Sequence, residues 1–354
     1  DNRSAIGKVI YTGVISTSFI AVLLTVLVVL TSDAIVHFFD ANQLKLPLMI
    51  AASVLVPQTL GVVFAVAANG FEKVWQSRLL KEGLTSIFVL LGLGIAYLFQ
   101  YPINLLNVTL IYAISRVLTF LVSFGYLKGL YKPVVMKNSL DASMIQMAKP
   151  LLFVSATTLL ASSVDVIMLG WLSTSQDVGL YTVAARLVIF MGLFLQITNA
   201  ALSPKVAAFF AQQNMSAIKT LVQQITFGLL IIAVFTSMGF VFFGKALLGF
   251  WGSEFTAGYA CLLILCVGQF VNLTTGCSGI LLIMSGHEKV FSYLSAASLF
   301  ANLILNYIFI QRYGILGAAI ATSTTICLEN SIRLIVAKRK TGVWSLPKLM
   351  TRKS

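Results

Sequence analysis

Charge is what this sequence has least of: Asp and Glu together number 11, and charged residues of both signs make up 10 % of its 354 positions. An ordinary soluble domain carries about 25 % charged residues. With 58 % hydrophobic residues and a mean hydropathy of +0.95, a soluble globule is excluded. Histidine is nearly absent too. His37 and His287 are the two present, and both fall in predicted loops away from any Ser, Cys or Asp array suited to nucleophilic catalysis. The four cysteines, Cys261, Cys266, Cys277 and Cys327, lie in apolar segments without metal-ligand spacing, so they read as small packing residues. No catalytic residue, no resident metal and no enzymatic activity are therefore expected.

Long apolar runs are what the chain has instead. A helix of about 20 apolar residues crosses roughly 30 Å of hydrocarbon. Such runs are read at 7–30, 45–69, 84–99, 104–126, 150–171, 179–203, 222–243, 256–284, 290–311 and 313–337. The fold class is thus an all-α polytopic membrane protein with about ten crossings. Gly, Ser and Thr punctuate the runs, as expected of helices packed closely on one another rather than of simple anchors. Pro57 with Gly61 should kink the second run, and neighbouring groups must then satisfy the freed carbonyl. Because the chain opens with Asp1 rather than Met and without a cleavable signal pattern, further residues are expected upstream.

The formal net charge of +13 does not collect on one soluble face, so nucleic acid is not an expected partner. The basic residues alternate between loops instead. One side carries Arg3, Lys8, Lys73, Arg78, Lys81, Lys128, Lys132, Lys137, Lys149, Lys205, Lys219, Lys289 and the tail Lys338, Arg339, Lys340, Lys348, Arg352 and Lys353. The other side carries Lys45, Lys245 and Arg312. Cytoplasmic loops are enriched in Lys and Arg, which places both ends of the chain in the cytoplasm. Membrane lipid is the immediate partner. The amphipathic stretch 205–221 after Pro204 is expected to lie along the cytoplasmic interface. The basic loop near 127–149 marks the boundary between 1–138, with four spans, and 139–354, with six spans and the basic tail.

Ionisable residues at mid-membrane each need a partner or a watery cavity. Four stand out: Arg116, Asp165, Arg186 and Glu329. Asp165 and Arg186 lie roughly 10 Å from the outer surface at about 1.5 Å per residue, so an ion pair between them is one reading. The other is that Arg116 and Arg186 line a cavity and hold a pyrophosphate, whose oxygens match a guanidinium's parallel donors. Glu329 stands four residues before Arg333, a spacing that pairs them on one helix face. Asn302 and Asn306 share a face in the same way. With Asp165 and Thr322 they would offer carboxylate, amide and hydroxyl oxygens to a small hard cation, or would simply hydrogen-bond between helices. Gln58, Gln196 and Asn199 could also line a cavity.

The stretch 148–204 carries Pro150, the run Asp165-Val166-Ile167-Met168-Leu169-Gly170, the turn Asp177-Val178-Gly179-Leu180-Tyr181, Ala184-Ala185-Arg186 and Pro204. It resembles the polysaccharide flippases of the multidrug/oligosaccharidyl-lipid/polysaccharide exporter superfamily. Gly276 to Gly286 and Tyr313-Gly314-Ile315-Leu316-Gly317-Ala318-Ala319 agree with it, while 1–147 carries the resemblance weakly. The resemblance implies two six-helix lobes, of which this chain lacks the first two helices. It also implies a cation site in the second lobe, with ligands from its first, fifth and sixth helices, and hence coupling to Na⁺ or H⁺. The implied function is translocation of an undecaprenyl-pyrophosphate-linked oligosaccharide across the bacterial inner membrane by alternating access, as in O-antigen and lipopolysaccharide assembly. A polysaccharide polymerase and chain-length machinery would be its partners, and no cofactor besides the coupling ion is implied. A drug or metabolite efflux antiporter of the same fold and a truncated, inactive form stay open as alternatives. A polymerase or glycosyltransferase would call for a large extracytoplasmic loop or a soluble carboxylate-bearing domain, and the sequence has neither.

Overall fold

The computed structural model describes residues 2–130 and 141–347, and among these the chain is helical with no strand. The helices are α1 (Asn2–Phe38), α2 (Lys45–Ser53), α3 (Leu55–Gly70), α4 (Val74–Arg78), α5 (Leu84–Leu98), α6 (Leu105–Leu130), α7 (Ala142–Leu172), α8 (Ser175–Ala211), α9 (Met215–Gly249), α10 (Tyr259–Thr275), α11 (Cys277–Met284) and α12 (Glu288–Thr341). Eight helical stretches are long and apolar enough to cross a membrane by length and composition. The 31-residue α7 and the doubling-back of α12 bring the crossings to the ten read from hydropathy. Large apolar side chains such as Phe19, Leu30, Leu90, Phe235 and Phe242 stand about 70 % exposed or more. Surface of that kind belongs against hydrocarbon.

The chain divides into two units, Asp1–Ala156 and Thr157–Ser354. The boundary expected between 138 and 139 lies outside the described residues. So do Lys132, Lys137, Lys348, Arg352 and Lys353.

In the first unit α3 packs on α1 and α6, with Phe64 stacked on Phe120 (centroids 5.9 Å apart). The helix of the second crossing breaks at Val54 rather than at Pro57. A proline ring collides with the carbonyl four residues back, here that of Ser53, so the distortion appears ahead of the proline. Thr25 Oγ1 of α1 donates to the Ala52 carbonyl at this break (2.9 Å). A neighbouring helix thus meets an acceptor that lipid could not satisfy. Between α4 and α5 the chain makes one π-helical turn, Leu79–Gly83, so the third crossing begins at Val74, ten residues before the hydropathy reading.

In the second unit α8 runs straight through Pro204 to Ala211, and the turn at 212–214 opens α9. The expected interfacial helix over 205–221 is therefore two pieces of two crossings; their apolar side chains Val206, Ile218 and Val222 are buried in one core cluster rather than laid on a membrane surface. The Thr174 side chain caps α8 at Asp177 N, and that of Asn214 caps α9 at Ala217 N. His37 sits in the last turn of α1, not in a loop, and His287 precedes α12, its Nδ1 3.0 Å from Ser285 Oγ. Cys261, Cys266 and Cys277 are buried, and all four cysteines are free.

The 54 residues of α12 are two antiparallel arms. Gly314 adopts φ 52° and ψ −128°, a conformation open to glycine, and the chain folds back there. The arms meet so closely that a Cβ on Gly317 would lie 2.0 Å from the Phe309 carbonyl oxygen.

A polar cluster around Asp165 as the candidate functional site

Asp165 of α7 collects three neutral donors from three other helical segments. Tyr181 Oη of α8 donates to Oδ2 at 2.7 Å, Thr322 Oγ1 on the second arm of α12 donates to Oδ2 at 2.7 Å, and Asn306 Nδ2 on the first arm donates to Oδ1 at 2.8 Å. The fold-back at Gly314 is what lets residues 16 positions apart, Asn306 and Thr322, reach one carboxylate. Asn302, one turn before Asn306, completes the group: Asn306 Nδ2 is 3.0 Å from both its carbonyl oxygen and its Oδ1.

Asn306 Nδ2 therefore faces three acceptors, Asp165 Oδ1, Asn302 O and Asn302 Oδ1, all within 3.0 Å. An amide nitrogen carries two hydrogens, so oxygen is in surplus there. Asn306 Oδ1, fully buried, has no hydrogen-bond partner among the described residues. Turning the amide over would add that oxygen to the same point. A carboxylate, a backbone carbonyl, amide oxygens and the Thr322 hydroxyl are hard oxygen donors of the kind that hold hard cations. The donor set fits a small cation, and the proton is the other charge that could neutralise Asp165 here.

Asp165 and Arg186 line one cavity of about 380 Å³ with Tyr181, Gln269 and Thr322, yet no ion pair joins them. Arg186 is exposed and has no carboxylate partner among the described residues. The direct Asp165–Arg186 pair, one of the two expectations for these residues, does not form; Tyr181, Thr322 and Asn306 are the donors that reach the carboxylate instead. Tyr181 is the member the sequence reading missed. A tyrosine buried in an apolar helix needs an acceptor for its hydroxyl, and that was the available signal.

Glu329 and Arg333 do pair, and the pair also ties the arms of α12 together. Ser298 donates to Glu329 Oε2 (2.9 Å), Arg333 Nη2 donates to Ser295 Oγ (2.7 Å), and the guanidinium lies 4.2 Å over the Phe291 ring. Both side chains are largely buried, so their charges are spent on each other.

Arg116 belongs to the first unit. Its Nε and Nη2 donate to Tyr112 Oη at 2.9 and 2.6 Å, and no carboxylate pairs with it among the described residues.

Residues 2–210 match the family model described as polysaccharide biosynthesis protein, and residues 150–308 match the MatE model. The chain belongs to the polysaccharide biosynthesis protein family. It is 26 % identical over 261 residues to "Capsular polysaccharide biosynthesis protein CapF" of Staphylococcus aureus, covering 72 % of this chain and 64 % of that protein. It is 26 % identical over 170 residues to "Probable low-salt glycan biosynthesis flippase Agl15" of Haloferax volcanii, covering 48 % and 36 %. The chain thus spans under two thirds of the length of these curated relatives. Among solved structures, the lipid II flippase MurJ in an inward closed conformation superposes with a TM-score of 0.71 at 16 % identity, over 94 % of this chain and 72 % of that one. An inward-facing multidrug resistance MATE transporter gives 0.76 at 14 % identity, over 95 % and 81 %. These likenesses show that the chain shares the fold of those structures.

Proposed function

We propose that this member of the polysaccharide biosynthesis protein family acts in a flippase that moves an undecaprenyl-pyrophosphate-linked oligosaccharide across the bacterial inner membrane, driven by Na⁺ or H⁺. The observation that carries the reading is Asp165, a carboxylate inside a membrane-spanning bundle, held by neutral donors and surrounded by surplus oxygen. Such a group is costly in hydrocarbon without a partner or a watery cavity, and groups of this kind mark ion and proton pathways. Asp165, Asn302, Asn306 and Thr322 would hold the cation, which supplies the charge that this oxygen cluster lacks. Because the ligands come from α7 and both arms of α12, ion binding draws three helical segments together and biases one conformation over another. Direction follows from that difference in affinity.

Translocation needs no bond to be made or broken. The polar headgroup passes through a hydrophilic route while the polyprenyl chain stays in lipid. Arg116 and Arg186, both without carboxylate partners among the described residues, would be cations offered to a pyrophosphate. The relatives' names support a glycan substrate, and the basic loops support cytoplasmic ends in the inner membrane. A polymerase and chain-length machinery would take up the translocated product.

The test is complementation of a strain that lacks its own polysaccharide flippase, with this chain alone and within its full natural reading frame. Restored surface polysaccharide, lost in Arg116→Ala and kept in Arg116→Lys, is the expected result. Failure of both forms, each stably inserted in the membrane, would overturn the flippase reading in favour of an efflux antiporter.

A further inference from the structure

We propose that Glu329 is a second station for the coupling cation, deeper in the second unit than Asp165, and that Arg333 drives the ion off it. The proposal rests on the ion-coupled reading above and adds a route of release. The two arms of α12 carry matching stripes. Asn306, Asn302, Ser298 and Ser295 fall at intervals of four, four and three residues on the first arm. Thr322, Ile326, Glu329 and Arg333 fall at intervals of four, three and four on the second. Such intervals keep each set on one helix face. Three contacts show that the two faces meet. Asp165 joins Asn306 to Thr322, Ser298 donates to Glu329 Oε2 at 2.9 Å, and Arg333 Nη2 donates to Ser295 Oγ at 2.7 Å. One register therefore runs from the Asp165 cluster to the Glu329–Arg333 pair, with the buried Asn302 between them.

The cavity of about 380 Å³ that Asp165 lines extends down the second arm from Thr322 to Ile326, three residues before Glu329. Glu329 stands seven residues beyond Thr322, about 10 Å closer to the basic end of α12 at about 1.5 Å per residue. An ion leaving Asp165 in that direction passes the oxygens of Asn302 and Ser298 before it meets the next carboxylate. The two stations differ in what already holds them. Neutral donors meet Asp165, so no cation in direct contact competes with an arriving ion. Glu329 is already paired with Arg333. That grip is incomplete: Arg333 Nε is buried without a hydrogen-bond partner among the described residues, so its Nε–Nη2 edge does not clasp the carboxylate as a fork. Ser295 and the Phe291 ring, 4.2 Å from the guanidinium, keep Arg333 in place while Glu329 turns to a second cation. Two positive charges at one carboxylate repel. Asp165 thus captures the ion, and Glu329 holds it only in passing.

The experiment measures exchange of radioactive Na⁺ across proteoliposomes holding the protein in its full natural reading frame, with an enclosed pH-sensitive dye as a second arm that reads H⁺. Neither arm needs the glycan lipid. Asp165→Asn is expected to lose both the Na⁺-dependent rise in melting temperature and the exchange. Glu329→Gln is expected to keep the melting response and to slow exchange about tenfold or more, with partial rescue by Glu329→Asp. The double variant Glu329→Leu with Arg333→Leu removes the pair without stranding a charge, so it folds even where Glu329→Gln does not, and its exchange stays slow. Native exchange in that stably inserted double variant overturns the station and leaves the pair a structural clasp. Movement of H⁺ without Na⁺, with the same dependence on Glu329, keeps the station and names the proton as its ion. Exchange of neither ion by the native protein overturns the station even where complementation succeeds. Exchange that depends on Glu329 without complementation keeps the station and rejects the flippase.

Discussion

Replacing Asp165 with Asn separates a cation ligand from a structural hydrogen-bond hub. In the native cluster the two carboxylate oxygens accept from Tyr181, Thr322 and Asn306. An asparagine in the same rotamer keeps one oxygen for the Tyr181 and Thr322 hydroxyls but sets its amide nitrogen against Asn306 Nδ2, donor against donor. One charge-assisted hydrogen bond is lost, a cost of about 1.5–3 kcal/mol, and it is offset in part because a charge no longer has to be buried. Asp165→Asn should therefore fold with a modest loss of stability. The linkage effect is separate: an ion that binds only the folded state stabilises by about 2.7 kcal/mol when present at 100 times its Kd. That increment should be present in the native chain and absent in the variant. The assay is thermal unfolding of the purified full chain in NaCl against choline chloride at equal ionic strength. An Asp165→Asn protein whose melting temperature still rises with Na⁺ as much as the native chain would refute the assignment.

Two further predictions concern α12. Gly317→Ala places a methyl group 2.0 Å from the Phe309 carbonyl oxygen, a backbone atom that cannot turn aside, so we expect a loss of about 3 kcal/mol or failure to insert, read by thermal unfolding and by membrane yield. Glu329→Leu or Arg333→Leu alone strands a buried charge and should cost about 3–5 kcal/mol, whereas the double substitution should cost much less. A double-mutant cycle measures this, and additive losses would show that the two charges do not depend on each other.

Much of the fold was legible in the chain because the signal for a crossing is local. Hydropathy read the ten crossings, and the i, i+4 spacing read Glu329 with Arg333 and Asn302 with Asn306. What escaped was set by departures from regular helix. The break at Val54 precedes its proline because the collision falls on an earlier carbonyl, and the π-helical turn Leu79–Gly83 has no hydropathy signature. Pro204 passes within α8 without ending it.

The candidate site divides along the same line. Asp165 was visible as a carboxylate in an apolar run, since the expense of burying charge is a property of the residue and its immediate neighbours. Its partners depend on which helix faces meet. The Asp165–Arg186 pair, plausible by depth alone, loses to Tyr181, Asn306 and Thr322, which come from elements packed directly against α7.

By itself, then, the sequence determined that this protein lives in a bilayer, how many times its chain crosses, and which residues there would need partners. Transfer free energy adds residue by residue along the chain, so these properties follow from local composition. The tertiary structure decided who those partners are. The fold-back at Gly314 sets Asn306 and Thr322 on one carboxylate, and the Thr85–Thr119 contact ties α5 to α6, because hydrogen bonds are short-ranged and form only where packing brings distant residues together.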